Sequence, residues 1–389
     1  MIKNPLAIVA ALLFIESVVL FLAHDKRVKG YFDLIPSVFW IYFLPMMAAT
    51  FGLLDSRSPV YEIITTYLLP ASLFLLLIPV EMKAILRLGK PALLMMLAGS
   101  VGIMLGTVIS IVIFAPMIGR EFWSGFGALS ASWMGGSANM IAVKEAVGTP
   151  DRVFLPMVIV DTVVPYCWMG LLVVMVSQQK NFDRFTRANQ RIIADLRQKK
   201  NYAPKAGGSP LTLEAAVILM AIALAGSLLA QGLARHLPEI KNILSTYAWT
   251  IIAVSILGVA LSYTPARHLE KIGASRVGYF LLYFVLTSIG AKASLVNLYS
   301  TIMLILAGWM IVAVHAVVLV LTARFLRAPL FLVAVASQAN IGGVASAPMV
   351  AEIYLPGFAS VGLLLAILGN ILGTYFGIVT AQLCWLASG

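Results

Sequence analysis

Twelve apolar stretches, each followed by a short polar segment, restrict this chain to an environment that is itself apolar. They run over residues 5–23, 33–53, 62–80, 91–118, 125–147 and 153–177, then 211–233, 243–263, 277–291, 298–323, 329–353 and 358–387. A helix needs about 20 apolar residues to cross the hydrocarbon of a bilayer. A transmembrane barrel would instead alternate apolar and polar residues over segments of about ten. The chain is 61% hydrophobic and 11% charged, with a mean hydropathy of +0.97. A soluble domain, about half apolar, does not reach that balance. The expected class is an all-α, multipass membrane protein.

Charge refines this. Of the 27 Lys and Arg residues behind the net charge of +11, eight lie between Ser177 and Pro210: Lys180, Arg184, Arg187, Arg191, Arg197, Lys199, Lys200 and Lys205. A basic loop between apolar helices marks the cytoplasmic side and favours anionic lipid headgroups. Nucleic acid is excluded as a partner, because no soluble binding module accompanies the charge. Cys167 and Cys384 sit in apolar runs with neither metal-ligand spacing nor a disulfide framework. The first stretch is a retained helix rather than a secretory signal. Its leading charge is Lys3 alone, no small-residue cleavage site follows, and Glu16 interrupts it. Glu16, without a partner in the second half, reads as a packing or subunit-contact residue.

The chain echoes itself. Ala131-Ser132-Trp133-Met134-Gly135-Gly136-Ser137-Ala138-Asn139 has a counterpart in Gln338-Ala339-Asn340-Ile341-Gly342-Gly343-Val344-Ala345-Ser346, offset by 207 residues, and Glu145 falls on Glu352. Lys83 with Lys292, Leu97-Ala98-Gly99 with Leu306-Ala307-Gly308, Asp161 with Asn370 and Tyr166 with Tyr375 match at an offset of 209. Three parts are expected: a first membrane repeat over 1–177, a basic cytoplasmic linker over 178–210, and a second repeat over 211–389. If all twelve stretches cross, 16 basic residues lie inside and 11 outside; if 125–147 and 329–353 enter and return on one side, the split is 19 and 8. The positive-inside rule favours the second arrangement, with ten crossings and two inverted repeats. Duplication of this kind recurs in secondary transporters.

The two duplicated segments are poor plain spans. Ser130, Ser132, Ser137 and Asn139 surround Gly135-Gly136; Ser337, Gln338, Asn340 and Ser346 surround Gly342-Gly343. Glycine weakens a helix by about 1 kcal/mol per residue, and irregular backbone at membrane depth is tolerated only where protein or a cavity satisfies it. The bland reading is close packing through small residues. The functional one is a pair of interrupted helices whose ends offer amides to anions and carbonyls to cations. In that reading Asp161, Ser137, Asn139, Asn340 and Asn370 bind a cation. Ser130, Ser132, Gly135, Gly136, Thr162, Ser337, Gln338, Gly342, Gly343 and Ser346 line a solute site. Asp161 stands out because a carboxylate deep in a span normally faces a cavity or a partner. His315 reads as a satisfied core histidine, and Lys83 and Lys292 as snorkelling residues at helix ends. No phosphate loop, zinc cluster or nucleophile elbow is present, so neither an enzyme nor an ATP-driven pump is expected, and no cofactor beyond a sodium ion or proton.

On the paired segments Ser130–Asn139 and Ser337–Ser346, the chain resembles the YjcL-like family of uncharacterised multipass membrane proteins (DUF819-type). That family is similar to the superfamily of cation:proton antiporters and bile-acid or anion symporters. The run Tyr283-Phe284-Val285-Leu286-Thr287-Ser288-Ile289-Gly290 before Lys292 resembles that superfamily's glycine-ended helix, with Pro70 to Leu77 as the fainter copy. The resemblance implies two inverted repeats, a core with interrupted helices, a dimerising scaffold and elevator-like alternating access. It places Asp161 where antiporters carry their ion-binding acid. Those antiporters have a neighbouring Asp-Asp or Asn-Asp pair, and here Val160 precedes Asp161. The expected function is therefore sodium- or proton-coupled symport of a small polar or anionic organic solute, by a homodimer in a bacterial inner membrane. The rivals are a monovalent cation/proton antiporter and a non-transporting receptor or assembly protein.

Overall fold

A computed structural model describes residues 1–25, 27–28, 37–80, 82–199, 211–239, 245–292, 298–356 and 358–388. Lys200 and Lys205 of the basic segment lie outside the described residues. Among those described there is no strand, and, apart from a five-residue α-helix Met82–Leu86 and short 3-10 turns, the helices are α1 Pro5–His24, α2 Ser37–Thr50, α3 Val60–Leu77, α4 Lys90–Ile118, α5 Trp123–Gly135, α6 Ser137–Ala146, α7 Asp151–Val174, α8 Gln179–Thr186, α9 Gln190–Lys199, α10 Leu213–Ala234, α11 Thr246–Ser262, α12 Ala274–Lys292, α13 Leu298–Leu326, α14 Leu330–Ile341, α15 Gly343–Tyr354 and α16 Ala359–Ala387.

Eight of these are long and apolar enough to cross a membrane: α1, α3, α4, α7, α10, α12, α13 and α16. The other four apolar stretches of the sequence divide differently. α2 covers only part of 33–53. α11 is followed after a 95° bend by a short helix over Pro265–Ile272. The remaining two, 125–147 and 329–353, are broken into α5/α6 and α14/α15.

Contacts group the chain into two units, each drawing on both halves of the sequence: 1–80 with 145–162 and 207–298, and 81–144 with 163–206 and 299–389. The boundary falls within α7. In the first unit α3 is the hub, and its side chains fill notches left by glycines on three neighbours. The Phe74 ring lies over Gly226 of α10, Leu77 against Gly258 of α11, and Leu75 and Leu76 against Gly278 of α12. Ala71, Leu75, Leu219, Ala223, Ala274, Val277 and Leu281 form the adjoining core.

Pro70 explains the polar contacts of this hub. Inside α3 it supplies no N–H for the carbonyl of Thr66 and disturbs the turn before it. Gln231 Nε2 donates to that carbonyl at 3.1 Å, the Tyr247 hydroxyl to Thr65 O at 3.0 Å, and the Ser227 hydroxyl to Tyr67 O at 2.9 Å. In hydrocarbon, neighbouring helices must satisfy groups that a proline frees. At the far end of α12, Lys292 Nζ stands 4.0 Å from an Asp151 carboxylate oxygen in the first turn of α7, where a negative charge suits the helix dipole.

The second unit is held by two antiparallel close pairings. Along α5 and α16, Gly127 meets Ala381, Ala131 meets Gly377 and Gly135 meets Gly373, a small residue at every fourth position on both helices. Along α4 and α13, Gly102 meets His315 and Gly106 meets Ile311, with the Ser110 hydroxyl donating to Ala307 O at 3.1 Å. Backbones approach this closely only where Cβ atoms are missing. The first part of the basic segment is helical and touches the unit: Asp183 Oδ1 of α8 accepts from the Leu330 N–H at 2.8 Å. That carboxylate caps α14, whose preceding Pro329 makes no side-chain cap.

Candidate functional site

Both duplicated segments break at their glycine pair, and the two glycines of each pair do different work. Gly135 and Gly342 are needed for space. A Cβ at 135 would meet Gly369 O at 2.6 Å and the Asn139 amide; one at 342 would collide with Ser346 Oγ and Gln338 Nε2. Gly136 (φ 80°) and Gly343 (φ 61°) are needed for conformation: a Cβ at 136 would meet only Asn370 Oδ1, at an ordinary 3.6 Å, and one at 343 nothing within 4 Å. Positive φ is strained for most L residues and free for glycine. The Gly136 N–H closes α5 on Ser132 O at 2.6 Å, while its carbonyl accepts from the Asn139 and Met140 N–H groups and starts α6. The Gly342 N–H likewise closes α14 on Gln338 O at 2.8 Å. α14 and α15 both pack against α5, so the two broken segments are neighbours in the second unit.

The polar side chains here are neutral and buried. Gln338 Nε2 donates to Ser346 Oγ at 2.7 Å, and among the described residues Gln338 Oε1 is buried without a hydrogen-bond partner. Turning the amide over would exchange the two ends; one hydroxyl satisfies only one of them. The buried Trp133 Nε1 on α5 also has no partner. Unpaired buried groups are rare and call for an explanation such as a ligand or water.

Asn139 and Asn340 make the same three-bond pattern with different neighbours. Asn340 Nδ2 donates to Ala336 O, four residues back, at 3.0 Å and to Met96 O on α4 at 3.1 Å; its Oδ1 accepts from the Ser100 hydroxyl at 2.8 Å. Asn139 Nδ2 donates to Gly135 O, again four residues back, and to Asn370 O on α16 at 3.2 Å; its Oδ1 accepts from the Thr374 hydroxyl. Each asparagine thus clasps a neighbouring helix through positions four apart, and each amide oxygen keeps a second lone pair.

A third cluster has a fixed hydrogen-bond direction. His315, fully buried on α13, places Nδ1 2.8 Å from Gly99 O and Nε2 2.9 Å from Ser337 Oγ, which also accepts from Trp168 Nε1 at 2.9 Å. A carbonyl only accepts and an indole only donates. In the neutral ring the proton is therefore on Nδ1, and the Ser337 hydroxyl donates to Nε2. Ser337→Ala leaves both the indole N–H and the imidazole nitrogen unpaired. It is expected to lower stability by about 2 kcal/mol, within the range for orphaned buried groups, read as a lower melting temperature, whereas Ser337→Thr retains most of it.

The sequence-predicted residues are distributed as follows. Asn139, Asn340, Asn370, Ser337, Gln338, Ser346 and both glycine pairs fall around the two breaks, with Ser137 half-buried in the first turn of α6. Ser130 is buried and its hydroxyl donates to Gly127 O at 2.8 Å, whereas the role of Ser132 is made by its carbonyl. Asp161 and Thr162 are half-buried on the part of α7 that groups with the first unit, and the Thr162 hydroxyl donates to Val158 O at 2.9 Å. Sequence reasoning missed Ser100, Thr374, Trp133 and Trp168. Thr374 lies four residues after Asn370, a spacing that could have suggested a shared face; nothing marked Trp168.

Comparison with known proteins agrees with this picture of a multipass membrane protein. The chain is 25% identical over 349 residues to the "Uncharacterized membrane protein YjcL" of Bacillus subtilis (strain 168), covering 85% of this chain and 86% of that one. Residues 10–386 match the family described as "Protein of unknown function (DUF819)". With nearly its whole length matched, the chain belongs to the DUF819 family of membrane proteins.

Proposed function

We propose that this protein is a secondary active transporter, a sodium- or proton-coupled symporter of a small polar or anionic organic solute. The observation that carries the reading is the pair of matched helix breaks, at Gly136 and at Gly342–Gly343, in which one glycine provides space and the next a positive φ. A scaffold or receptor has no need of two such breaks packed together, whereas a transporter uses broken helices to offer backbone groups to its cargo. The unpaired end of the Gln338 amide and the Trp133 N–H provide an acceptor and a donor for a solute bearing both. Asp161, in the first contact group, is the proposed carrier of the coupling ion, and Asn139, Asn340, Ser137 and Asn370 around the breaks are proposed as cation ligands in their own right. The matched breaks and the two contact groups, each built from both chain halves, also support inverted repeats, a place in the antiporter and symporter superfamily, and elevator-like movement of the second unit.

The test is uptake into proteoliposomes of solutes first selected by thermal shift, with and without a sodium or proton gradient. Gradient-driven uptake reduced at least tenfold in Asp161→Asn is expected. Uptake indifferent to both gradients and to Asp161→Asn would remove ion coupling. Sodium flux linked to pH with no organic solute would replace symport by exchange.

A further inference from the structure

α1 carries a carboxyl that the reading above does not use. Ile8, Leu12, Glu16 and Val19 form one stripe along this helix, each at most 1% exposed, while Leu6, Phe14 and Phe21 on its other faces are at least 70% exposed. Glu16 is thus turned into the protein, away from the surface that a bilayer would cover, and α1 packs there on α2 and α12. Neither Oε1 nor Oε2 has a hydrogen-bond partner among the described residues. The titratable groups on the two packed helices are Tyr42 of α2, and Arg276, Tyr279, Tyr283 and Lys292 of α12. Tyr283 lies within electrostatic reach of Glu16, and among the described residues the Tyr42 hydroxyl is itself buried without a hydrogen-bond partner. Arg276 and Lys292 stand at opposite ends of α12. Burying a carboxylate without a cation or donor is strongly disfavoured, and among the described residues no hydrogen-bond partner reaches either oxygen. A packing role is better served by leucine, and an intramembrane acid is functional by default.

We propose that Glu16 is a proton-binding site: a carboxyl that is neutral in the arrangement seen here and gives its proton to water when the seam between α1 and α12 opens. In the transfer itself the O–H bond breaks, water takes the proton and the carboxylate remains, and a proton from water on the other side restores the acid. As a carrier of the coupling proton Glu16 rests on the transport reading, but its chemistry does not.

Two measurements on the full chain in lipid test this without any solute. Infrared spectra of wild type minus Glu16→Gln isolate the C=O stretch of a protonated Glu16, and lipid-soluble dicyclohexylcarbodiimide attaches to protonated carboxyls. Expected are a difference band at neutral pH that disappears as the pH is raised, and carbodiimide labelling of the Glu16 peptide that falls more than tenfold over the same change and is absent in Glu16→Gln. Lack of the band at neutral pH would overturn the proposal, and so would a band unchanged over the whole range in which the protein stays folded, since that describes an inert packing group. A titrating band in a protein that moves no solute would leave the proton site standing and remove the transport reading. Gradient-driven uptake with a silent band would do the reverse.

Discussion

Gly373→Val is expected to destabilise the protein by about 3 kcal/mol or more, the upper end of the overpacking range. The reason is what a side chain at that position would strike: the Gly135 Cα at 2.7 Å and the Gly135 N at 2.9 Å. Both are backbone atoms, so relief requires α5 and α16 to separate, which also pulls apart Gly127/Ala381 and Ala131/Gly377 and frees the Thr374 hydroxyl from Asn139. The measurement is the melting temperature of the detergent-solubilised protein, together with the fraction that elutes as a single folded species. Gly232→Ala and Gly170→Ala are the controls, because nothing lies within 4 Å of a Cβ at either position. Each should leave the melting temperature unchanged or raise it, since alanine favours a helix over glycine by about 1 kcal/mol. A Gly373→Val protein as stable as wild type would refute the close pairing.

Gly342→Ala should separate activity from stability in the opposite way. The added methyl meets side-chain termini, Ser346 Oγ and Gln338 Nε2, rather than backbone. These groups can swing aside, so the fold should lose about 1 kcal/mol or less. Their hydrogen bond and the orientation of the unpaired Gln338 amide end are lost with the movement. If that end holds the solute, gradient-driven uptake should fall about 100-fold, or about 2.7 kcal/mol, with the melting temperature almost unchanged. Equal losses in Gly342→Ala and Gly373→Val, or full uptake by Gly342→Ala, would detach the second break from transport.

These two glycines also show how far the sequence could be read. The duplication of Gly135-Gly136 in Gly342-Gly343 was visible from spacing, and helix breaks there followed from propensity, because glycine in a helix interior has a local cost that needs no knowledge of neighbours. The small-residue spacing at Gly369, Gly373, Gly377 and Ala381 was equally visible. Its meaning was not, since a stripe of glycines says that a helix can be approached closely without saying by which helix. Close packing accounts for Gly135 but not for Gly136, whose φ of 80° is a backbone requirement. The clustered Ser and Asn residues were recognised as polar groups needing partners in an apolar setting. That Asn340 would find Ser100 and Met96, 240 and 244 residues away, depends on helix pairing that has no local signature.

By itself, then, the amino-acid order determined solvent and element type. Long apolar runs can satisfy their backbone in hydrocarbon only as helices, and a glycine pair weakens a helix wherever it stands. Tertiary structure decided which helices share a unit, so that residues 81–144 and 299–389 gather around the breaks while Asp161 falls in the other contact group. It also decided that His315 holds Ser337 rather than standing alone, and that Glu16 faces inward with no hydrogen-bond donor among the described residues. Those outcomes rest on which surfaces meet across hundreds of residues, a property of packing rather than of any local run of sequence.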